Sequence, residues 1–428
     1  MKKILLLLIT IAFFSCKNEE AKKVEITSVT DYNEYLSAPL ASLKEAEQTK
    51  DFWSKRLNND TTGVGDIGPL AGVYGVLFSE SGNVENLKHA ETLYKKGMQY
   101  SANNKDAFAR GLARNYISQH KFKEAKTVLE ESYAGVSKKH ETELMLFDVY
   151  MELGEYEKAN KFLEKVKNPS DYNYLIRLSK WSDYRGDLDA AIKYMEQAKS
   201  IAESRNSKEL KIWTYSNLGD YYGHAGRIKD AYQHYLMTLK LQPDNAYVKK
   251  GIAWITYAAE KNTKEANRIL DTLAKKHPVP DYYLFKAELA EYDGDASKSN
   301  ALTEAFLNAV SSNKTYGDMY NAYLIEIYAD SDPEKALALA NKEVTNRATP
   351  ETYHLLALAQ LSNGDKQNAL ETIEKYVEGK TYEPMAQYHS ALVYKANGLD
   401  DKVKPIKDEL LDASFELGPV LMKDIEKL

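Results

Sequence analysis

Residues 212–243 read IWTYSNLGDYYGHAGRIKDAYQHYLMTLKLQP and carry the clearest structural pattern in the chain. Apolar and aromatic residues recur at helical spacing on both sides of Gly226, which supplies the left-handed backbone conformation that closes a helix. Pro243 cannot continue a helix and marks the end of the second one. Gly219 and Ala231 are small, so two helices can cross closely at these positions. The stretch therefore predicts a helix–turn–helix unit.

The small residue of the second helix recurs along the chain inside the same pattern, at intervals of 32 to 40 residues. The marker positions are Ala90, Ala125, Ala159, Ala191, Ala231, Ala266, Ser299, Ala336, Ala369 and Val403. A period of this length is typical of stacked helical pairs, each of which buries its apolar face only against its neighbours. The sequence predicts an all-α, right-handed superhelical solenoid of about ten repeats, with a degraded C-terminal repeat as its cap.

The pattern in residues 212–243 resembles the tetratricopeptide repeat family. Tyr215, Leu218, Tyr222 and Tyr235 occupy the family's large positions, with the small residues and the closing proline in register. The resemblance implies a binding array without catalytic activity and covers roughly four-fifths of the chain. A looser resemblance links the N-terminal part to flavobacterial (Bacteroidota) repeat-containing surface lipoproteins of unassigned activity. Its residues are Asp51-Phe52-Trp53-Ser54-Lys55-Arg56-Leu57, Leu77-Phe78 and Gly82-Asn83-Val84-Glu85-Asn86-Leu87.

The first fifteen residues have the pattern of an export leader. Lys2 and Lys3 precede an apolar run over residues 4–14, and Ser15 is the small residue before Cys16, the only cysteine. Eleven residues rise about 16 Å as a helix, which is too short to span a hydrocarbon core of about 30 Å.

The segment 13–16 resembles a bacterial lipobox, although Phe13 and Phe14 depart from the usual residues. The resemblance implies that Cys16 is acylated and becomes the mature N-terminus. Residues 17–20 resemble the acidic signal that sends Bacteroidota lipoproteins to the cell surface. We expect an outer-membrane lipoprotein that is surface-exposed, or otherwise on the periplasmic face. An ordinary secretory leader with a chance cysteine is the alternative.

Composition limits the domain organisation. A chain of 428 residues is too long for one compact core, whereas a solenoid buries a continuous ridge. The net charge of −6 argues against nucleic acid as a partner. The expected organisation is a signal peptide at 1–15, a flexible tether at 16–40, an N-terminal helix and loop at 41–68, and the array at 69–428.

No residues form a pattern for catalysis. Residues 63–68 spell the dinucleotide fingerprint G-x-G-x-x-G, but no strand precedes them, so we interpret them as a loop that enters the first repeat. The eight histidines lack metal-ligand spacing, and no nucleophile–base set can be proposed. We expect no cofactor, no metal and no enzymatic activity.

The family resemblance implies which residues face a concave groove, because the first helices of successive repeats line it. The implied groove residues are Arg110, Arg114, Asp148, Arg177, Lys180, Trp213, Asn217 and Asp220. Arg110 and Arg114 are one helical turn apart, and with Arg177 and Lys180 they would form a basic patch for a carboxylate or acidic peptide. Ordinary solvated charges are the alternative interpretation. Met145 stands where the family's carboxylate-binding members need an asparagine.

The expected function is a non-catalytic scaffold, lipid-anchored at the outer membrane, that binds a peptide or partner protein of the cell envelope in its groove. The alternative is capture of a glycan or nutrient together with an outer-membrane transporter, since Tyr and Trp rings stack on sugars. The nearly uninterrupted repeats leave little room for the long insertions on which such binders rely.

Overall fold

The computed structural model describes residues 25–59, 63–135 and 139–428, and within these ranges every regular element is a helix. The N-terminal helices are α1 (Val29–Ser37) and α2 (Ala41–Asn59). Ten antiparallel pairs follow. The first five are α3 (Val64–Ser81) with α4 (Glu85–Tyr100), α5 (Lys105–Ser118) with α6 (Phe122–Ala134), α7 (Lys139–Glu152) with α8 (Tyr156–Lys165), α9 (Tyr172–Tyr184) with α10 (Leu188–Ser204), and α11 (Lys208–His224) with α12 (Ile228–Leu241).

The second five pairs complete the array. They are α13 (Ala246–Ala258) with α14 (Thr263–Lys276), α15 (Asp281–Tyr292) with α16 (Ala296–Ser312), α17 (Asn321–Ser331) with α18 (Pro333–Asn346), α19 (Pro350–Ser362) with α20 (Lys366–Tyr376), and α21 (Pro384–Ala396) with α22 (Asp400–Asp412). A short 3-10 turn (Lys314–Tyr316) precedes α17, and α23 (Ser414–Ile425) ends the chain. The predicted all-helical solenoid is confirmed.

The marker residues explain the regular packing. Each lies on the second helix of its pair, and eight of the ten are alanines with no exposed surface. In the fifth repeat, the ring of Tyr235 lies between Gly219 of α11 and Gly251 of α13. A Cβ atom on Gly251 would be 2.6 Å from this ring, and one on Gly219 would overlap it. Three helices therefore pack around one tyrosine because both backbones lack a side chain at that point.

The N-terminal segment differs from the predicted flexible tether. Of residues 16–40 the structure describes 25–40, and these pack on the array. Tyr32 and Leu36, one turn apart in α1, are buried against α12 and α14. The Glu260 carboxylate accepts hydrogen bonds from the backbone N–H groups of Ile26 (2.7 Å) and Thr27 (2.6 Å). Helix α1 has nine residues, and its two buried residues, Tyr32 and Leu36, are only one turn apart. That pattern is too short to predict the docking of the helix on the array.

The first repeat helix also begins earlier than predicted. The expected loop ran to Gly68, whereas α3 starts at Val64. Ile67, Leu70 and Ala71 are buried at helical spacing, and their packing extends the helix backwards through the glycines. The G-x-G-x-x-G residues thus form the first turns of a helix. The predicted leader and Cys16 lie outside the described residues, and no described helix is long and apolar enough to cross a membrane.

The solenoid curves until late repeats contact early ones. The contacts come from residues 345–384, the return segment, which runs from the end of α18 to the start of α21. Arg347 donates a hydrogen bond to Glu152 (3.3 Å), and Lys123 donates one to the carbonyl of Thr345 (2.6 Å). The return segment therefore lies against α6 and α7, and its Ala348 lies against Gly154 in the turn after α7.

Candidate binding cleft

Arg110 and Arg114 lie together at one end of the array. Both line a cavity of about 510 Å³ with the first residues of α3. Arg110 donates hydrogen bonds to Asp106 (3.2 Å) and Thr142 (3.4 Å), whereas Arg114 is exposed. The predicted one-turn spacing thus places both guanidinium groups at the same cavity.

Arg177 and Lys180 are not available in the same way. Arg177 donates to the Asp148 carboxylate (2.6 Å), and Lys180 donates to Glu152 (2.8 Å). Lys180 lines a different cavity from the two arginines of α5. The four basic residues therefore do not line one cavity, and two of them are neutralised by carboxylates of α7. Sequence reasoning named Asp148 as a groove residue but did not pair it with Arg177.

The predicted groove residues of α11 have structural contacts. Trp213 is 42% exposed and meets Tyr172 edge to face, and Asn217 donates to the carbonyl of Trp213 (2.8 Å). Asp220 accepts hydrogen bonds from the hydroxyls of Tyr235 (2.7 Å) and Tyr247 (2.6 Å). Burial raises the pKa of Asp220. This carboxylate thereby ties α12 and α13 to α11.

The C-terminal helix covers the first helices of the middle repeats. Helix α23 contacts α11, α13 and α15, the first helices of three successive pairs. Trp254 donates its indole N–H to the carbonyl of Phe415 (2.9 Å), and His224 Nδ1 lies 2.7 Å from Glu416 Oε2. The ammonium of Lys423 lies 4.8 Å from the centre of the Tyr292 ring. The groove expected at α11 is therefore partly filled by the chain itself.

An open cleft remains between α7–α9 and the return segment, and residues 409–416 of α22 and α23 line one end of it. It consists of two cavities, of about 540 and 590 Å³, that share Tyr156, Tyr184 and Tyr382. We call the two together the interior cleft. Its acidic end carries Asp183, Glu351, Glu383, Glu409, Asp412 and Glu416. Its aromatic end carries Tyr156, Trp181, Tyr184, Tyr353, Tyr376 and Tyr382, together with two basic residues, Arg185 and Lys380.

The acidic end perturbs the protonation of its own groups. Burial, together with the neighbouring carboxylates of Glu416 and Asp183, raises the pKa of Glu383 to about 7. Burial also raises the pKa of Asp183. Burial opposes protonation of His224, but its hydrogen bond to Glu416 and the nearby carboxylates raise its pKa to about 9. The carboxylates that line the two cavities nevertheless outnumber the basic groups, which are Lys180, His224 and Arg347 at the acidic end and Arg185 and Lys380 at the aromatic end.

The aromatic end presents paired rings from both walls. Tyr156 and Tyr184 stack with their centres 4.1 Å apart, and Tyr353 and Tyr376 stack at 3.9 Å with nearly parallel planes. Tyr382 is 66% exposed and lies against Gly186, which leaves room for its ring. Sequence reasoning missed this site, because its walls are about 200 residues apart in the chain. The abundance of tyrosine, 32 residues, was the only signal.

Two buried histidines form a pair in the late repeats. His354 of α19 and His389 of α21 lie with their Nδ1 atoms 2.8 Å apart. Burial lowers the pKa of His389 to about 4 and also lowers that of His354, where nearby Arg347 contributes. Across the described ranges, no group of three or more His, Cys, Asp or Glu side chains is arranged to hold a metal ion.

Comparison with known proteins agrees with the helical pairs. Residues 184–244 and 350–378 match tetratricopeptide repeat models. No curated protein matches the chain in sequence. Among solved structures, it is similar to the human IFIT1 dimer with PPP-AAAA, at 13% identity over 73% of this chain and 71% of that one, with a TM-score of 0.48.

Two further solved structures show the same likeness at low identity. Yeast Tom70 is 15% identical, with 89% of this chain and 84% of that one covered and a TM-score of 0.40. PilW, a type IV pilus biogenesis factor, is 18% identical, with 51% of this chain and 99% of that one covered and a TM-score of 0.39. From the two matched segments and the helical pairs in which they lie, we conclude that the chain contains tetratricopeptide repeats.

Proposed function

We propose that this protein is a non-catalytic scaffold that binds an extended segment of a partner protein in the interior cleft. Tetratricopeptide arrays act in protein–protein interaction, because many repeats add binding surface along one face. The observation that carries the proposal is the cleft itself, which stays open between α7–α9 and the return segment while α23 fills the adjacent groove. A segment lying there would contact repeats from both halves of the array.

The scaffold is anchored, in this proposal, through lipid on Cys16 to the outer membrane, surface-exposed or otherwise on the periplasmic face. The support is the leader pattern of residues 1–16. Two or more acyl chains make such an anchor stable. Mass spectrometry of the mature N-terminal peptide tests this point: a diacylglyceryl group on Cys16 is expected, and an unmodified cysteine contradicts it.

Capture of a glycan is the second candidate function, because the aromatic end of the cleft offers several ring faces. Site-specific photo-cross-linking separates the two. We would place benzoylphenylalanine at Tyr382, inside the cleft, and at Tyr100, which is 49% exposed on α4 and outside it. A protein adduct from position 382 alone is expected. Absence of any such adduct, combined with binding of an oligosaccharide, would favour the glycan function.

A further inference from the structure

The carboxylates of the acidic end outnumber its basic groups. Lys180 and Arg347 line it and both pair with the carboxylate of Glu152, at 2.8 and 3.3 Å, so one of their two positive charges is left to offset another carboxylate. Glu416 pairs with His224. Within the described part of the chain, the side chains of the other five carboxylates have no ion pair or hydrogen bond. These are Asp183, Glu351, Glu383, Glu409 and Asp412.

The aromatic end attracts the same sign of charge. The face of a tyrosine ring carries partial negative charge and binds an ammonium or guanidinium group within about 6 Å of its centre. Two lysines of the chain already use the ring of Tyr376: the ammonium groups of Lys375 and Lys380 lie 4.9 and 5.8 Å from its centre. The rings of Tyr156, Tyr184 and Tyr382 line both cavities and thus join the aromatic end to the carboxylates.

We infer that the interior cleft selects a basic occupant: an extended peptide segment of the partner whose Lys or Arg side chains lie against the tyrosine rings and reach the unpaired carboxylates. The inference rests on the proposed scaffold function and names the chemistry of its partner. Carboxylates form charge-assisted hydrogen bonds with guanidinium and ammonium groups, which fixes the register of the segment. Two cavities in series require a chain of several residues.

This occupant differs from the one predicted at sequence level. An acidic peptide would place its carboxylates beside Glu383, whose pKa is already raised by burial and by the neighbouring carboxylates. The arginine pair of α5 belongs to a separate cavity and cannot offset that repulsion. A neutral sugar would use the rings but would leave the carboxylates unpaired.

Peptides of defined charge test the inference. Fluorescein-labelled ten-residue peptides of alternating Arg and Ser, Glu and Ser, or Asn and Ser would be titrated with the full-length protein in detergent, with fluorescence anisotropy as the readout. We expect the Arg–Ser peptide to bind at least tenfold more tightly than the other two. Equal affinity for all three peptides, or no binding of the Arg–Ser peptide, would overturn the inference.

Matched variants distinguish the cleft from the acidic surface in general. A triple variant, Glu351→Gln, Glu383→Gln and Glu409→Gln, should weaken Arg–Ser binding by about tenfold at pH 8, where Glu383, with its pKa of about 7, is mostly ionised and three unpaired carboxylates are removed. The control triple, Glu47→Gln, Glu131→Gln and Glu141→Gln, changes the net charge by a similar amount on exposed positions of α2, α6 and α7. It should change the affinity less than twofold. An equal loss in the control would show diffuse attraction and refute a docking site.

The rings have their own test. Tyr382→Ala should weaken Arg–Ser binding about threefold to tenfold through loss of a cation–π contact. Tyr100→Ala, an exposed tyrosine outside the cleft, should leave it unchanged. A cross-linked partner segment at position 382 that lacks basic residues would leave the scaffold function standing while refuting this inference. Thermal unfolding of every variant checks that the fold is retained.

Discussion

Gly418 fixes the position of α23 and allows a quantitative test of how the groove is covered. Its backbone has φ 76° and ψ 162°, inside a region open almost only to glycine, and it breaks α23 near its middle. A Cβ atom there would lie 2.7 Å from Glu288 Oε1 and 2.8 Å from Trp254 Cη2. Gly418→Ala therefore adds backbone strain and a steric overlap at the same point.

Both costs can be estimated. The strained backbone costs about 1–3 kcal/mol for a residue with a side chain. Overpacking costs about 1–3 kcal/mol more, because both contacted groups are held: Trp254 by its hydrogen bond to Phe415, and Glu288 by one from Tyr257 (2.9 Å). The docking equilibrium of α23 should thus weaken by about 2–6 kcal/mol, or at least thirtyfold. The rest of the array should remain folded, since α23 lies outside the ten helical pairs.

Amide hydrogen exchange provides the assay. Protection of residues 420–425 should fall at least thirtyfold in Gly418→Ala, and the fluorescence of Trp254 should shift as its indole becomes solvated. Gly294→Ala is the matched control, because Gly294 also has a positive φ (81°) but its added Cβ meets nothing within 4 Å. Unchanged protection of residues 420–425 in Gly418→Ala, or an equal loss in the control, would refute the reasoning.

Three further predictions concern stability. The pKa of His389 is about 4 in the folded protein, below its ordinary 6.5, so between these pH values the unfolded chain binds more protons than the folded one. The free energy of unfolding should therefore be highest above pH 6.5 and fall by up to about 3 kcal/mol towards pH 4. Urea unfolding at both pH values should show this fall, and His389→Gln should reduce it. Glu260→Ala should leave two backbone N–H groups without their acceptor and release α1, seen as faster proteolysis before residue 40 while α2 onwards stays intact. Gly219→Ala should lower the free energy of unfolding by about 1–2 kcal/mol, because its added Cβ overlaps the ring of Tyr235. Gly75→Ala should instead raise it by up to about 1 kcal/mol, because its added Cβ meets nothing within 4 Å. Changes of the same sign in both variants would contradict the packing argument.

The repeat architecture was predictable because it is local. Each pair of helices carries its own small residue at the crossing and its own turn, so a period read from one stretch holds for the others. Ser299 shows the limit of the pattern: it replaces alanine and is only partly buried, yet α16 still forms beside α15. Neighbouring repeats thus supply packing that the local residues lack.

The site was not predictable in the same way, because it depends on small rotations summed over many repeats. No local pattern indicates that Arg347 reaches Glu152, or that Tyr382 lies against Gly186. The positions known for the repeat family did identify which candidate residues lie on the first helices of their pairs. They could not show that Arg177 is neutralised by a carboxylate of the preceding repeat.

Closure of the array changes where a ligand can bind. In an open solenoid the concave face of the first helices is the natural groove, but here α23 lies on that face at α11, α13 and α15. The accessible interior shifts to the seam where the return segment meets α7–α9. The walls of this cleft are joined by contacts such as the Arg347–Glu152 pair. A segment bound across the seam would contact both walls, so its binding energy would also stabilise the closed form of the array. Breaking a contact that joins the walls, such as the Arg347–Glu152 pair, should therefore weaken binding even though the residues that touch the ligand are unchanged.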